Sequence, residues 1–281
     1  MSSGLEETLL QGEVTLRYSI LFAVIALVAA WESVQPRRPP SAPLRTRWLG
    51  NFGIWLLGLP LTWLVPLVGT SFAVVIAARG GGVLRALELP GWLAFVAAFL
   101  ALDLARYVEH VAYHRSAMLW RLHRMHHADP DYDFTVGFRF HPFEALVSVL
   151  ITLGVIWVLG PPPAAVLVHQ LVLLGLGVFA HANGSLPRSC DRWLRKVLIT
   201  PDLHRVHHST RPQETNSNFG GVVPWWDRLF GTYVDQPRAG HDAMRIGLDE
   251  FRDPRHLRLR WMLVHPFLRA GAVTVRHGAR R

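Results

Sequence analysis

The sequence predicts an all-α, integral membrane helical bundle with a cytoplasmic, histidine-rich cap that holds a dinuclear metal site. Three observations carry that expectation: apolar residues gathered into five long runs, a small share of charge, and histidines clustered at helical spacing. Hydrophobic residues fill 51% of the 281 positions and charged residues 17%, a balance that points to lipid as the solvent around the runs. The net charge of +9 comes from arginines in short loops and beside the runs. Anionic lipid headgroups are therefore the expected counter-charge, and nucleic acid is not.

The runs occupy residues 14–30, 52–78, 90–108, 145–159 and 164–180. Crossing hydrocarbon takes about 20 apolar helical residues, so the first three predict transmembrane helices. The last two are shorter and flank Pro161, Pro162 and Pro163, which cannot continue a helix. They predict a helical hairpin over 145–180, inserted in part. Basic loops set the orientation. Arg37, Arg38, Arg45 and Arg47 follow the first run, while Glu6, Glu7 and Glu13 precede it, which puts the N-terminus outside and the first loop inside. Two further crossings deliver 109–144 to the cytoplasm, and a hairpin that leaves and returns keeps 186–281 there. These two polar segments form the expected cap, and the whole chain reads as one membrane-embedded domain. Trp55, Trp63 and Trp92 are expected as interface anchors and in helix packing. No basic region or A-x-A cleavage site marks a cleavable signal peptide. Cys190 is the single cysteine, so no intramolecular disulfide is expected, which suits a reducing compartment.

Fifteen histidines are present, and eight fall into boxes: His110 with His114; His123 with His126 and His127; His204 with His207 and His208. Residues at i, i+3 and i+4 share one helix face, so each box aims its imidazoles at one point. One ion rarely takes more than four to six protein ligands, and imidazole suits iron, zinc and copper alike. Two ions sharing one site is the economical reading. Carboxylate-type di-iron bundles need a Glu-x-x-His pair, and zinc peptidases need H-E-x-x-H; neither pattern occurs here. Asp103 and Glu109, on the helix leading to His110, are candidates to orient imidazoles or to pack helices. His169, His241, His256, His265 and His277 lack spacing partners and are expected in packing or at the surface.

Taken with the boxes, Asp103-L-A-R-Tyr107, Arg139-F-His141-Pro142-F-Glu144, His181-A-Asn183, Asn218-Phe219-Gly220 and Trp226-Asp227-R-L-Phe230-Gly231-Thr232-Tyr233 resemble the fatty acid hydroxylase/sterol desaturase superfamily. The resemblance runs from about Trp31 to Pro237. It implies a membrane enzyme with a non-haem di-iron centre, two Fe, which activates O2 to hydroxylate or desaturate a lipid C–H bond. It carries over as metal ligands His110, His114, His123, His126, His127, His204, His207 and His208, with His181 as a ninth, and names no catalytic residue beyond them. His141 is read as positioning. Val111 stands where many members have arginine. Gly80-Gly81-Gly82 lacks the strand-and-helix context of a nucleotide loop, and no length remains for a haem or flavin domain, so electrons are expected from an external electron-transfer protein. Membrane lipids and a lipid substrate are the other expected partners. Two other classes compete. A membrane zinc-dependent hydrolase would use a metal-bound water. A non-enzymatic metal- or haem-binding protein would place ligands at mid-membrane or in widely spaced pairs.

Overall fold

The computed structural model describes residues 12–269, with the backbone alone for 61–68. Glu6, Glu7, His277 and the Trp63 side chain lie outside what is described. The architecture is all-α, as the apolar periodicity predicts. Among the described residues the only extended pairings are isolated bridges, Pro36 with Gly184 and Ser209 with Ile246.

Five long helices make the bundle: α1 (Glu13–Val34), α2 (Leu44–Ala78), α3 (Gly91–Arg115), α5 (Pro142–Leu159) and α6 (Pro163–Ala180), with the shorter α4 (Ala117–His127) between α3 and α5. Four of these, α1, α3, α5 and α6, are long and apolar enough to cross a membrane. At 18 residues, α5 and α6 are each about 27 Å long, close to the roughly 30 Å of bilayer hydrocarbon. The outward residues of α1 and α5 are those a lipid solvent tolerates: Phe22, Leu27, Leu150 and Trp157 are each more than 60% exposed. Trp92 stands exposed at the start of α3, where an interface anchor belongs, but Trp55 packs edge-on against Phe138 at 5.1 Å and faces the interior.

Two helices outrun their apolar stretches. α2 begins two turns early, because Arg45, Arg47 and Asn51 are helical yet polar. α3 continues two turns past Val108 and so carries the first histidine box on the same rod as a membrane span. It ends where Ser116 caps α4, its hydroxyl accepting from Leu119 N, so the chain turns sharply between the first two boxes.

At the far end of the bundle, Gly160 closes α5 in the left-handed conformation (φ 58°) and meets Gly82 (φ 103°). A Cβ on Gly82 would lie 2.3 Å from the Gly160 Cα. The glycine run that resembles no nucleotide loop thus lets the α2–α3 connection touch the tip of the α5–α6 hairpin.

The cap is fastened to α2 by a buried charged network. Arg47 donates from Nε to Asp129 (2.7 Å) and from Nη1 to Asp133 (2.5 Å). Asn51 donates to Asp129 (3.1 Å) and accepts from Arg139 Nη1 (2.8 Å). Arg139 also donates to the carbonyls of Met125 (2.7 Å) and His256 (3.1 Å). This joins α2, the C-terminal end of α4 and the segment after His127 into one unit.

The C-terminal part of the cap packs on α4 through Arg124, which donates to the His265 carbonyl at 2.7 Å. The His265 ring is fully buried against Phe251 at 4.1 Å. Burial, with the Arg139 and Arg124 guanidiniums nearby, pushes its pKa down to about 2 from 6.5. The unfolded chain therefore binds a proton here below about pH 6.5 that the folded chain refuses until about pH 2. The stabilisation is complete above the unfolded value and is lost as pH falls. We expect His265→Leu to remove up to about 1.4 kcal/mol per pH unit from the acid slope of stability, checked by denaturation midpoints at pH 7 and pH 5. Parallel slopes for the two proteins would contradict it.

Candidate metal centre

Four elements converge on the mouth of the bundle. α3 brings His110 and His114 on its last two turns, and α4 brings His123, His126 and His127. His181 follows α6 directly. The short helix α7 (Arg188–Leu194) leads on to α8 (Pro201–His207), which carries His204 and His207, with His208 as its C-cap. Thr200 starts α8, its hydroxyl accepting from Leu203 N. All nine sequence-nominated histidines meet here, and they sort into two groups. His110, His114, His123, His127 and His207 form one; His126, His181, His204 and His208 form the other, with donor nitrogens within 4.8 Å of one another in each group. The groups abut: the His127 and His208 rings stack at 4.5 Å.

Hydrogen bonds to carbonyls fix several tautomers, because a carbonyl can only accept. His110 Nδ1 donates to the Phe219 carbonyl (2.9 Å), His207 Nδ1 to that of Ser217 (2.7 Å) and His181 Nδ1 to that of Gly177 (2.7 Å). His123 Nδ1 donates to Glu144 Oε1 at 2.6 Å. Each of these rings therefore turns a bare Nε2 lone pair toward the centre. His110 Nε2 and His123 Nε2 face each other at 3.2 Å, and with Glu144 ionised neither has a proton left to share. Two lone pairs at that distance repel unless a cation lies between them. Two nitrogens each about 2.1 Å from one ion and about 90–110° apart would be about 3.0–3.4 Å from each other. The second group shows the same spacing, with His181 Nε2 at 3.2 Å from His126 Nε2 and 3.1 Å from His204 Nε2. The buried Nε2 atoms of His207 and His208 have no hydrogen-bonding partner, which is costly unless the atom ligates.

Burial keeps these rings neutral, as ligation requires. It pushes His123 down to about 3 and His181 to about 4. It also holds His126, His127, His204, His207 and His208 well below the ordinary value, with neighbouring histidines adding to the effect. The residues fit a pair of ions held wholly by imidazole.

The supports behind the rings explain several motifs. Asn218 adopts the left-handed conformation (φ 52°), which asparagine tolerates better than most residues. Its amide donates to the carbonyls of Leu203 and Val234. Asp227 accepts from Phe219 N (2.7 Å), Gly220 N (2.8 Å) and the Thr232 hydroxyl (2.7 Å). Together they hold the 217–220 backbone so that its carbonyls reach His207 and His110. Gly137 is small for a local reason, since a Cβ there would lie 3.3 Å from His181 Nδ1.

Of the two roles open to Asp103 and Glu109, orienting imidazoles or packing, the contacts are those of packing. Asp103 touches no box histidine; its carboxylate accepts from Val222 N, Val223 N and Trp226 Nε1. Glu109 pairs with Arg106 and Ser148. Orientation of His123 falls instead to Glu144, 21 residues further on and on another helix, so helical spacing could not reveal it. His141 is not among the grouped rings. Its Nδ1 accepts from Phe143 N and its Nε2 donates to the Leu263 carbonyl, so it caps α5 and positions Glu144. His169 packs edge-on against Phe99 (5.2 Å); His241 lies beside Asp202; His256 packs on Phe251. Glu144→Gln should lower metal affinity or turnover about 10–100-fold, read by chelator competition and rate; an unchanged affinity and rate would remove Glu144 from the support.

A cavity of about 430 Å³ opens from the histidines into the bundle and extends to the start of α1. Its wall includes His110, His126, Trp55, Leu102, Val166 and Leu174. Trp55 therefore belongs to a cavity as well as to helix packing. Phe140 stacks on the His126 ring at 4.6 Å, shielding the second group.

The sequence profile described as fatty acid hydroxylase matches residues 95–232, a span that contains all nine grouped histidines. An ornithine lipid hydroxylase of Rhizobium tropici is 24% identical over 233 residues, covering 81% of this chain and 70% of that protein. An alkylglycerol monooxygenase of Xenopus tropicalis is 29% identical over 160 residues, covering 54% of this chain and 33% of its own length. The human alkylglycerol monooxygenase is 30% identical over 139 residues, 48% of this chain and 29% of that protein. The chain thus spans about a third of the alkylglycerol monooxygenases it matches. No solved structure matches it. With the histidine boxes, their order and the profile in agreement, the chain belongs to the fatty acid hydroxylase superfamily of membrane proteins.

Proposed function

We propose that the protein is a membrane-bound, O2-dependent non-haem di-iron enzyme that hydroxylates a membrane lipid. The observation that carries this is the pair of all-imidazole groups opening onto an apolar cavity inside a membrane bundle. The matched relatives are a lipid hydroxylase and lipid monooxygenases, which favours hydroxylation over desaturation. His110, His114, His123, His127 and His207 would hold one iron, and His126, His181, His204 and His208 the other. When bound, the irons would supply the oxidising power that activates dioxygen against an unactivated C–H bond.

The chain's own contribution is placement. Neutral imidazoles leave the positive charge of the ions uncompensated, and Glu144 supplies one nearby carboxylate through His123. The apolar wall binds a lipid chain and lays it against the histidine end. Phe140 and Phe219 close off the rings, so bulk water is kept from the reacting carbon. The basic loops support a cytoplasmic histidine face, where an external electron-transfer protein would dock.

The test is incubation of iron-loaded protein with membrane lipid extract and a chemical reductant under isotopically heavy dioxygen. The proposal expects a lipid that has gained one heavy oxygen atom. Oxygen incorporated from heavy water alone would indicate hydrolysis and contradict it.

A further inference from the structure

The cavity has two polar ends, and the proposed chemistry uses only one. At the other, Arg17 of α1 is salt-bridged to Glu13 and donates from the same terminal amino group to Gln170 Oε1 of α6 at 2.5 Å. Thr70 of α2 donates to Glu13 Oε1 at 3.0 Å. Three helices therefore meet in one polar knot, one to two turns inside their ends, and both Arg17 and Gln170 line the cavity. Ionisable groups inside a membrane bundle are expensive and usually serve a ligand or a pathway. Gln170 Nε2 is buried with no hydrogen-bonding partner, an unused donor of a kind native interiors seldom leave. The small residue opposite makes room for it: a Cβ on Gly69 would fall 2.6 Å from that nitrogen.

Gln170 and His181 are eleven residues apart along α6, about 16 Å at 1.5 Å per residue. Between the two ends the wall is mostly aliphatic, with Leu102, Val155, Val166 and Leu174 among its residues. Glu13 already neutralises Arg17, so the knot does not call for an anionic ligand. It offers hydrogen-bond donors to a neutral oxygen.

We infer that Arg17 and Gln170, with Thr70 bracing Glu13 behind them, form a recognition subsite for a hydroxyl or carbonyl oxygen on the lipid, which fixes the carbon presented to the metals at about 16 Å from that oxygen. The inference rests on the reading of the cavity as the lipid site of a hydroxylase. Reach from the subsite, rather than the apolar wall, then selects the oxidised position. An apolar wall grips a chain at any register, whereas one anchored oxygen permits one register.

Photolabelling tests this without metal or turnover. The probes are dodecan-1-ol and dodecane, each carrying a diazirine at one end (for the alcohol, the end remote from the hydroxyl), used on the full chain in nanodiscs. The alcohol should label the segment 177–181 at about tenfold lower concentration than the alkane, the value of one hydrogen bond to a charged or buried group. Gln170→Met and Thr70→Val should each erase most of that advantage while alkane labelling, which reports an intact cavity, stays as in the wild type. Equal labelling by the two probes, labelling of the α1 end by the alcohol, or an advantage that survives both substitutions would overturn the subsite. If the alcohol preference holds but iron-loaded protein oxidises no lipid, the hydroxylase reading fails while the subsite stands.

Discussion

His126→Ala and His207→Ala should each abolish dioxygen-dependent turnover, and each should lower the metal content of the purified protein. The two residues sit in different groups, so each substitution should unload one ion first. His207 has a buried Nε2 with no hydrogen-bonding partner, and His126 faces His181 across the second group at 3.2 Å. Alanine removes one ligand nitrogen from its group and puts no donor in its place. Metal analysis beside a turnover assay checks this. Full metal occupancy in either variant would take that residue out of the ligand set. His277→Ala, beyond the described residues, should change neither quantity.

The second large effect concerns folding. Burial alone would raise the Asp129 carboxyl, but the Arg47 and Arg139 guanidiniums outweigh it and hold it below the ordinary range. Asp129→Ala would leave both guanidiniums buried with less than their charge compensated. Breaking a buried pair from one side costs about 3–5 kcal/mol, a large part of a typical domain's 5–15 kcal/mol. We expect a markedly lower midpoint for thermal or denaturant unfolding in detergent. A loss below about 1 kcal/mol would mean the pair behaves as a surface salt bridge, and that the cap does not depend on this fastening.

Much of this architecture is legible in the sequence because membrane helices and histidine boxes are written in short-range code. Apolar length finds the spans, and i, i+3, i+4 spacing finds the rings. The code fails where polar residues are helical: the first two turns of α2 and the last two of α3 carry Arg47, Asn51, His110 and His114, and composition alone ends the helices too soon. It also fails for partners distant in sequence. Asp103 lies one helical face from His110 and looks like its support, yet it caps the 222–226 backbone. Glu144 comes from another helix and reaches His123. The division of nine histidines into five and four is likewise tertiary, since the second box contributes to both groups. No helical spacing distinguishes His126 from its neighbours His123 and His127. The polar knot at Arg17 is invisible in sequence for the same reason: its members are 53 and 153 residues apart.

The most direct test of the central claim is metal analysis of the freshly purified, detergent-solubilised protein, read beside its oxygen consumption with a chemical reductant. Two irons per chain, one for each histidine group, with reductant-dependent oxygen uptake is the result expected. Zinc in their place, with no oxygen uptake in protein prepared from never-oxidised membranes, would contradict the oxygenase reading and bring a metal-activated hydrolase to the front.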